Sequence, residues 1–390
     1  MINNLKPEIK LLLLCLSLQP GNKTIEKIKD LINQGVDWPY LINFASHHKS
    51  FQILYKTLSA LPQGIIPETI SDRLRGKFLN NSTRNIYLSQ ILTRLISLFE
   101  KNNINTIPFK GPVLAESLYG DISLRTFSDI DILVSKKDVG KAREILVKNG
   151  YSPEISLSDD QEQIYLKNEF DYKFWGENGS VVIELHWDMA GKYLNQPLHY
   201  DLVKKHCSDY PLNNQTVHNI SNEFLMVFLC VHASKHTWAY LEQVVSIREL
   251  TKQTLNWKEI LKTATDLHCL RILFVGLLLA ENLQEDNLPK WLKEKIEKDT
   301  KAVTLSRTVM LDLLKDDIKP AKPEEERFSL FHFHVRERFQ DKLRFGLYLL
   351  FNPSRKEWIE FQLPASLSFL HYLLRPIRLA ASFLRQFKKR

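Results

Sequence analysis

The fold of this chain follows from one short stretch, Ser128-Asp129-Ile130-Asp131-Ile132-Leu133-Val134. Its apolar side chains alternate with two aspartates, and this spacing predicts a β-strand with one apolar face and one acidic face. Asp129 and Asp131 then stand side by side, so their charges repel each other unless a cation lies between them. Mg²⁺ is the obvious cation, because it binds to one or two carboxylates together with substrate phosphates. On this stretch alone, an exposed acidic edge strand is an equally good interpretation.

A short strand, a tight turn and a helix are predicted just upstream, in residues 106–120. Gly111 suits the turn and Pro112 suits the first position of the helix. A glycine turn that leads into a helix leaves backbone N–H groups free to bind an anion. Because Pro112 lacks one of these donors, the anion also needs a side chain such as Lys110 or Arg125. An ordinary strand-to-helix turn is the alternative.

A β-hairpin is predicted downstream, in residues 172–187, with the Asn178-Gly179 pair at its turn. In its second strand, Glu184 and His186 point to the same face. A third carboxylate beside the aspartate pair completes a two-metal site. His186 either contacts a nucleotide, orients Glu184 or has a purely structural role.

This ordered set of motifs resembles the family of predicted nucleotidyltransferases labelled uncharacterised nucleotidyltransferase family, within the DNA polymerase beta-like superfamily. The matching residues are Lys110-Gly111, Tyr119, Arg125, Asp129-Ile130-Asp131 and Glu184-Leu185-His186-Trp187. A second block is similar to the C-terminal helical signature of the family: His232-Ala233-Ser234-Lys235-His236-Thr237-Trp238, followed by Asn256-Trp257. The resemblance covers residues 8–285.

The resemblance implies an α+β fold, in which a small polymerase beta-like mixed sheet is flanked by helical N- and C-terminal regions. It also implies that the carboxylates of Asp129, Asp131 and Glu184 are the catalytic residues. The same three side chains are then the metal ligands, for two Mg²⁺ ions or for Mn²⁺.

The resemblance further implies a set of residues that bind the nucleotide and its phosphates. They are Lys110, Gly111, Arg125, Ser128, His186, His232, Lys235 and His236. For Arg125 a surface ion pair is the alternative, and for the two later histidines core packing is the alternative. Zinc is not expected at His232 and His236, because Ala233 replaces the glutamate of a zinc motif and no third ligand is evident. Residues 244–248 lack the acidic residue that the family leads us to expect there.

Four segments are predicted along the 390 residues, since a chain of this length and 44% hydrophobic content can bury more than one packed unit. They are a helical N-terminal region in residues 1–104, a catalytic core in 105–215, a helical domain covering the cleft in 216–315, and a linker with basic amphipathic helices in 316–390. Within the first segment, the adjacent His47 and His48 are expected on the surface.

The net charge of +8 and the pI of about 9.1 suit RNA, an anionic membrane or a nucleoside triphosphate as a partner. The four cysteines form no Cys-x-x-Cys pair, which favours a reducing cytoplasm over a disulfide framework. The apolar run in residues 11–18 is expected to be a buried first helix, and no run is long enough for a clear transmembrane helix.

Residues 361–390 contain no Asp or Glu, but carry basic residues among many Leu and Phe. Such a stretch either lies on the inner face of an anionic membrane, binds RNA or docks on the body of the protein. Docking is the preferred interpretation, and peripheral membrane contact is the second hypothesis. Pro376 is expected to interrupt the helix, and residues 315–326 are expected to be a linker.

The motifs together predict an enzyme that moves an NMP from a nucleoside triphosphate such as ATP to an acceptor hydroxyl, with release of pyrophosphate. The acceptor is RNA, a protein or a small hydroxylated molecule, and the general base is either Glu184 or no protein group. The alternative is a non-catalytic protein of the same fold that binds nucleotide or RNA. The complete set of carboxylates argues against that alternative, because such a protein has little need to bear their repulsion.

Overall fold

The structure is a computed structural model in which a small sheet is enclosed by helices on both sides. It describes residues 5–194, 198–283, 288–316, 330–353, 355–361 and 363–387. The strands are β1 (Thr106–Pro108), β2 (Asp129–Val134), β3 (Ser152–Pro153), β4 (Asp171–Gly176), β5 (Val181–His186), β6 (Cys207–Leu212) and β7 (Gln215–Ile220).

The helices before and within the sheet are α1 (Pro7–Cys15), α2 (Asn22–Asn33), α3 (Trp38–His47), α4 (Phe51–Ser59), α5 (Glu68–Lys101), α6 (Gly111–Tyr119), α7 (Val139–Lys148), α8 (Asp159–Asn168) and α9 (Tyr200–Lys204). Those that follow are α10 (Asn222–Lys235), α11 (Leu241–Thr251), α12 (Trp257–Asp266), α13 (Leu270–Leu283), α14 (Lys290–Glu297), α15 (Thr300–Leu313), α16 (Leu330–His334), α17 (Phe339–Phe351), α18 (Arg355–Glu360) and α19 (Leu370–Phe387).

The five-stranded sheet has the order β1-β2-β5-β4-β3, and it is mixed because only β2 and β5 run parallel. The parallel pairing places Asp131 directly opposite Glu184. In the hairpin, β4 places Lys173 on the other side of Glu184. The predicted α+β class with a mixed sheet is confirmed. A separate two-stranded hairpin is formed by β6 and β7.

The apolar face of the sheet packs against α5 and α7. Ile130 and Ile132 from β2 and Ile183 from β5 are fully buried there, together with Leu92 and Leu146 from the two helices. Burial of this face fixes the orientation of β2 and β5, because a strand with one apolar face cannot slip by one residue without exposing it. The acidic face therefore points the opposite way, toward the helices that follow the sheet.

A second hydrophobic core joins the N-terminal helices α1–α4 to the later helices α10–α15. The two predicted helical regions therefore share a core, and the predicted division of the chain into four segments stays a prediction. One expectation for this region is wrong. His48 is buried rather than on the surface. Its ring packs against α11, where it accepts a hydrogen bond from the backbone N–H of Leu241 at 3.3 Å.

The first half of the C-terminal segment docks on the body of the protein, because Tyr372 OH donates to Asn168 Oδ1 at 2.5 Å and Gln161 Nε2 donates to the carbonyl oxygen of Leu363 at 2.8 Å. Within the segment, buried Glu357 accepts contacts from Arg375 at 3.2 Å and from Arg378 at 2.6 Å, so these two basic residues point inward. Helix α19 continues through Pro376, contrary to the predicted interruption. Most of the predicted linker (residues 317–326) and the side chains beyond Leu379 lie outside what the structure describes. Among the described helices, none is long and apolar enough to cross a membrane.

Candidate active site

The acidic face of the sheet forms the floor of a cleft. Asp131 and Glu184 face each other across the parallel strands, and Asp129 lies at the first position of β2. Asp131 is only 3% exposed, so its carboxylate has lost most of its water. A carboxylate in such a place needs a compensating positive charge or hydrogen-bond donors.

That compensation comes from side chains of the chain itself. Lys110 Nζ lies 2.7 Å from Asp131 Oδ1, and His186 Nε2 lies 3.1 Å from the same oxygen. His186 Nε2 also lies 3.5 Å from Glu184 Oε2, while Lys173 Nζ lies 3.1 Å from Glu184 Oε1. These contacts place two cationic side chains against Asp131, and the predicted Mg²⁺ ion stays a prediction.

The pKa values follow from these contacts. Burial disfavours the charged form of His186, but its hydrogen bonds to Asp131 and Glu184 outweigh burial and raise its pKa to about 9. Burial also raises the pKa of a carboxyl, yet the contact with His186 holds the pKa of Glu184 well below its ordinary range. For Asp129, burial and the neighbouring charge of Asp131 both raise the pKa. At neutral pH His186 is therefore protonated and Glu184 is ionised.

The residues present fit a divalent cation. One ligand atom each from Asp131, Glu184 and His186 lie within 4.8 Å of one another, and Asp129 lines the same cleft. Carboxylate oxygens are the ligands that Mg²⁺ and Mn²⁺ prefer. A bound ion would take over the role of Lys110 in balancing Asp131. The compact group contains His186, which was predicted as a nucleotide contact rather than as a ligand, and which can bind an ion only after it loses its proton.

The turn between β1 and α6 closes one side of the cleft. Gly111 has φ +56°, a backbone conformation that favours glycine, and an added Cβ would lie 3.5 Å from the carbonyl oxygen of Asp129. The turn and the strand that carries Asp129 are therefore in close contact. Ser128 lies in the loop beside them and lines the cleft as predicted.

Two asparagines of α5 hold the loop that precedes β2 in the chain. Asn85 Nδ2 donates to the carbonyl oxygens of Ile122 and Arg125, both at 2.7 Å. Asn81 Nδ2 donates to the carbonyl oxygens of Ser123 and Arg125 at 3.3 and 3.2 Å. The long helix α5 thereby fixes the path of the chain into β2.

Arg125 is neither a surface residue nor unpaired. Its Nε donates to Glu242 Oε1 at 2.6 Å, and the same oxygen accepts a hydrogen bond from Ser246 Oγ at 2.8 Å. Tyr119 OH lies 2.8 Å from Ser246 Oγ and extends the chain of contacts into α6. Burial disfavours the charge of Arg125, but Glu242 outweighs it and raises the pKa of Arg125. The alternative of a surface ion pair is wrong, because this ion pair is buried in the wall of the cleft.

Glu242 is the acidic residue that the sequence interpretation missed. We expected such a residue in residues 244–248, but it lies two positions earlier, in the first turn of α11. It is 4% exposed and lines the cleft. In the sequence, the only indication of a role for Glu242 was its position one helical turn before Ser246. That spacing gains a meaning only once Arg125 is seen to face Glu242 in the structure.

The end of α10 forms the opposite wall. His232, Lys235 and His236 all line the cleft there, as predicted. The rings of His232 and His236 lie 5.0 Å apart, and Lys235 Nζ lies 4.6 Å from the ring centre of Phe170. Burial and the neighbouring positive charges, Lys110 first among them, hold the pKa of His232 well below its ordinary value. His232 is therefore neutral at pH 7.

A further lysine reaches the cleft from the N-terminal helices. Lys49 lies between α3 and α4 with φ +53°, and its Nζ lies 4.4 Å from the ring centre of Tyr240. Burial lowers the pKa of Lys49, against the charges of Glu242 and Asp129, which raise it. No pattern in the helical sequence around Lys49 pointed to this position. Lys173 was missed in the same way, although its place in the hairpin opposite Glu184 could have been read from the strand pairing.

Together these walls enclose a cavity of about 300 Å³, and every residue predicted to bind nucleotide, phosphate or metal lines it. The cleft combines paired carboxylates, several lysines, Arg125 and a glycine turn at a helix N-terminus. Carboxylates, cations and free backbone donors of this kind are the parts that phosphoryl-transfer sites use.

Comparison with known proteins agrees with this class. The sequence profile described as "Uncharacterised nucleotidyltransferase" matches residues 34–314, well over half of the chain. The chain belongs to this family of nucleotidyltransferases. The match begins later and ends later than residues 8–285, which carried the resemblance in the sequence. No curated protein matches the chain.

Three solved structures are similar to parts of the chain. One is the antibiotic-resistance factor ANT(2'')-Ia, which is 13% identical with a TM-score of 0.33. The similarity covers 47% of this chain and 92% of the ANT(2'')-Ia chain. Another is the lincosamide antibiotic adenylyltransferase LnuA, which is 16% identical with a TM-score of 0.30. The similarity covers 42% of this chain and 96% of the LnuA chain. A third is an antigenic nucleotidyltransferase-like protein from Paracoccidioides brasiliensis, which is 14% identical with a TM-score of 0.34. The similarity covers 56% of this chain and 92% of that protein.

Proposed function

We propose that this protein transfers an NMP from a nucleoside triphosphate to an acceptor hydroxyl in a metal-dependent reaction. The observation that carries the proposal is the convergence of Asp129, Asp131 and Glu184 with Lys110 and the Gly111 turn in one cleft. The acidic side chains suit a metal ion, and Lys110 and the backbone N–H groups of the Gly111 turn lie beside them and suit phosphates.

In the proposed reaction the acceptor oxygen attacks the α-phosphorus in line, a new O–P bond forms, and the bond to the β-phosphate oxygen breaks. Pyrophosphate leaves, and the proton of the acceptor hydroxyl passes to Glu184 or to water. Bound Mg²⁺ lowers the pKa of that hydroxyl and stabilises the developing charge. Asp129 and Asp131 would hold the ion, and Glu184 would complete a two-ion set.

Several residues bind and orient the triphosphate in this proposal. Lys110 would contact a phosphate oxygen, since its ammonium group lies at the cleft floor beside Asp131. Lys235 and the histidines of α10 contact the nucleotide from the opposite wall. Arg125 acts through Glu242, so it positions the loop that carries Ser128 rather than reacting itself.

The acceptor is RNA, a protein or a small hydroxylated molecule, and the cleft does not favour one of them. For the cell, we propose a cytoplasmic enzyme, since all four cysteines are free thiols and three of them are buried.

The first experiment is label transfer. The purified chain is incubated with each α-labelled nucleoside triphosphate, Mg²⁺ and fractionated cell extract, in parallel with Asp131→Asn. The matched control is Asp160→Asn, an exposed residue of α8 outside the cleft. We expect label in one fraction with the unaltered chain and with Asp160→Asn, and none with Asp131→Asn or after removal of metal by EDTA.

A folded Asp131→Asn variant with full activity would sink the assignment of the carboxylates. Mg²⁺-dependent nucleotide binding without label in any fraction would favour the second candidate, a non-catalytic protein that binds nucleotide or RNA. The number of ions is measured separately, by isothermal titration with Mn²⁺ and a non-hydrolysable triphosphate. A stoichiometry of one would contradict the two-ion set.

A further inference from the structure

The positive charge of the chain is concentrated at one end. Residues 338–390 carry 11 Lys and Arg against 3 Asp and Glu, whereas residues 1–337 carry 42 of each sign. The entire net charge of +8 therefore belongs to the last helices. The part of the chain that contains the cleft has no net charge.

The few acidic residues in this region do little to offset that charge on its surface. Glu357 is fully buried and paired with Arg375 and Arg378, and Asp341 is buried as well. Of the three acidic residues, all of which lie in the described part of the chain, Glu360 alone is exposed. Among the described side chains of this region, the exposed basic residues are Arg338 and Arg344, and Lys342 is half-buried.

Helix α17 also exposes a row of large apolar side chains, which we call the α17 stripe: Phe339, Leu343, Leu347 and Leu350. Their exposed fractions are 76%, 53%, 48% and 49%. The spacing of four, four and three residues places them on one face of the helix. Lys342 and Arg344 flank that face on its two sides. A soluble monomer seldom leaves such a continuous apolar row uncovered.

The inner face of α17 is fixed to the body of the protein. Phe345 is 3% exposed, and the guanidinium carbon of Arg336 lies 3.4 Å from its ring centre and 4.7 Å from that of Tyr193. Tyr193 lines the cleft. The α17 stripe is therefore a preformed surface on a docked helix.

Helix α19 packs against α17 and repeats the pattern. Leu373 and Ile377, one turn apart, are 56% and 66% exposed, and Phe369 just before the helix is 58% exposed. The inward turn of Arg375 and Arg378 leaves these apolar side chains as the outward features of the first half of α19.

We propose that α17 and α19 dock on the surface of an anionic lipid bilayer. The apolar side chains enter the boundary between headgroups and acyl chains, and Arg338, Lys342 and Arg344 meet the lipid phosphates. A second copy of this chain is disfavoured as the occupant because the two basic regions repel each other. RNA satisfies the charge but offers nothing to the aliphatic residues of the stripe, which lack the aromatic faces on which bases stack. The proposal does not depend on the transfer reaction.

The test is flotation of the full-length chain with vesicles of phosphatidylcholine alone and of phosphatidylcholine with phosphatidylglycerol. We expect the chain to float with the anionic vesicles only, and less at high salt. The double variant Leu343→Glu, Leu347→Glu should lower the bound fraction by about tenfold or more. The control is Leu311→Glu on α15, which is 52% exposed and outside this region, and which should bind as the unaltered chain does.

Circular dichroism and thermal unfolding confirm that the variants are folded. Flotation with neither vesicle, or equally with both, would overturn the proposal. So would a double variant that floats as well as the control. Binding to a labelled single-stranded RNA in place of vesicles would assign the charge to nucleic acid. A concentration-dependent dimer that the double variant abolishes, without flotation, would assign the stripe to a second copy.

Discussion

Arg125 Nε lies 2.6 Å from Glu242 Oε1, and this buried ion pair joins the loop in front of β2 to the first turn of α11. The two residues are 117 positions apart in the chain. The contact therefore ties the helices that cover the cleft to the strand that carries Asp129 and Asp131. The side chains of Arg125 and Glu242 are only 12% and 6% exposed, so each charge is balanced mainly by the other.

Glu242→Gln should destabilise the protein by about 3–5 kcal/mol, because it leaves the charge of Arg125 buried without its partner. Urea unfolding measures this loss. The double variant Arg125→Met, Glu242→Leu removes both charges and should recover most of the stability, but not the transfer activity. Recovery of activity in the double variant would show that the pair only stabilises the fold.

Gly111→Ala should impair transfer more than it impairs folding. Alanine at φ +56° costs about 1–2 kcal/mol of backbone strain. Relief of that strain shifts the turn that contacts the carbonyl of Asp129. Gly120→Ala is the matched control, since Gly120 has φ +68° and nothing near its Cβ position. Both variants should lose similar stability, and only Gly111→Ala should raise the KM for the triphosphate. An equal effect of both on KM would contradict a phosphate role for the Gly111 turn.

Asn85→Ala should loosen the loop of residues 121–128. Asn85 donates two hydrogen bonds of 2.7 Å to that loop, and their loss should cost about 2 kcal/mol. Asn81→Ala removes longer bonds of 3.2 and 3.3 Å and should cost less. Hydrogen exchange of the loop amides measures the loosening directly. We expect faster exchange and a lower kcat/KM in Asn85→Ala, and unchanged exchange there would mean that α5 does not hold the loop.

His48 should make the protein less stable in weak acid. Burial, followed by the charge of His47, lowers the pKa of His48 to about 3, whereas the unfolded chain has an ordinary pKa of 6.5. Between these two values the unfolded state binds the extra proton. The free energy of unfolding therefore falls by about 1.4 kcal/mol per pH unit as the pH drops below 6.5. The stabilising effect is fully present above pH 6.5.

The measurement for His48 is urea unfolding at pH 7 and pH 5. The comparison is between the unaltered chain, His48→Asn and His334→Asn, the last being an exposed histidine. His48→Asn keeps a group that accepts the hydrogen bond from Leu241 but does not titrate. It should flatten the pH dependence by about 2 kcal/mol, while His334→Asn should not. An unchanged slope in His48→Asn would exclude His48 as the cause.

The sequence alone was sufficient for four strands of the five-stranded sheet and for its acidic face, but it did not predict β3. Alternation of Asp129 and Asp131 with isoleucines defined β2, and Glu184 with His186 defined the polar face of β5. These are local signals, because side chains two residues apart on a strand always share a face. Strand pairing then brought Asp131 opposite Glu184, as the ordered motifs had suggested.

The partners of these residues were decided only by the tertiary structure. Lys110 pairs with Asp131, and Glu242 and Lys49 reach the cleft from distant helices. An ion pair between residues more than a hundred positions apart leaves no spacing in the sequence, because its geometry depends on how whole helices pack. The sequence also determined that residues 338–390 hold the net charge, but only the packing of α17 decided which apolar side chains remain exposed beside it.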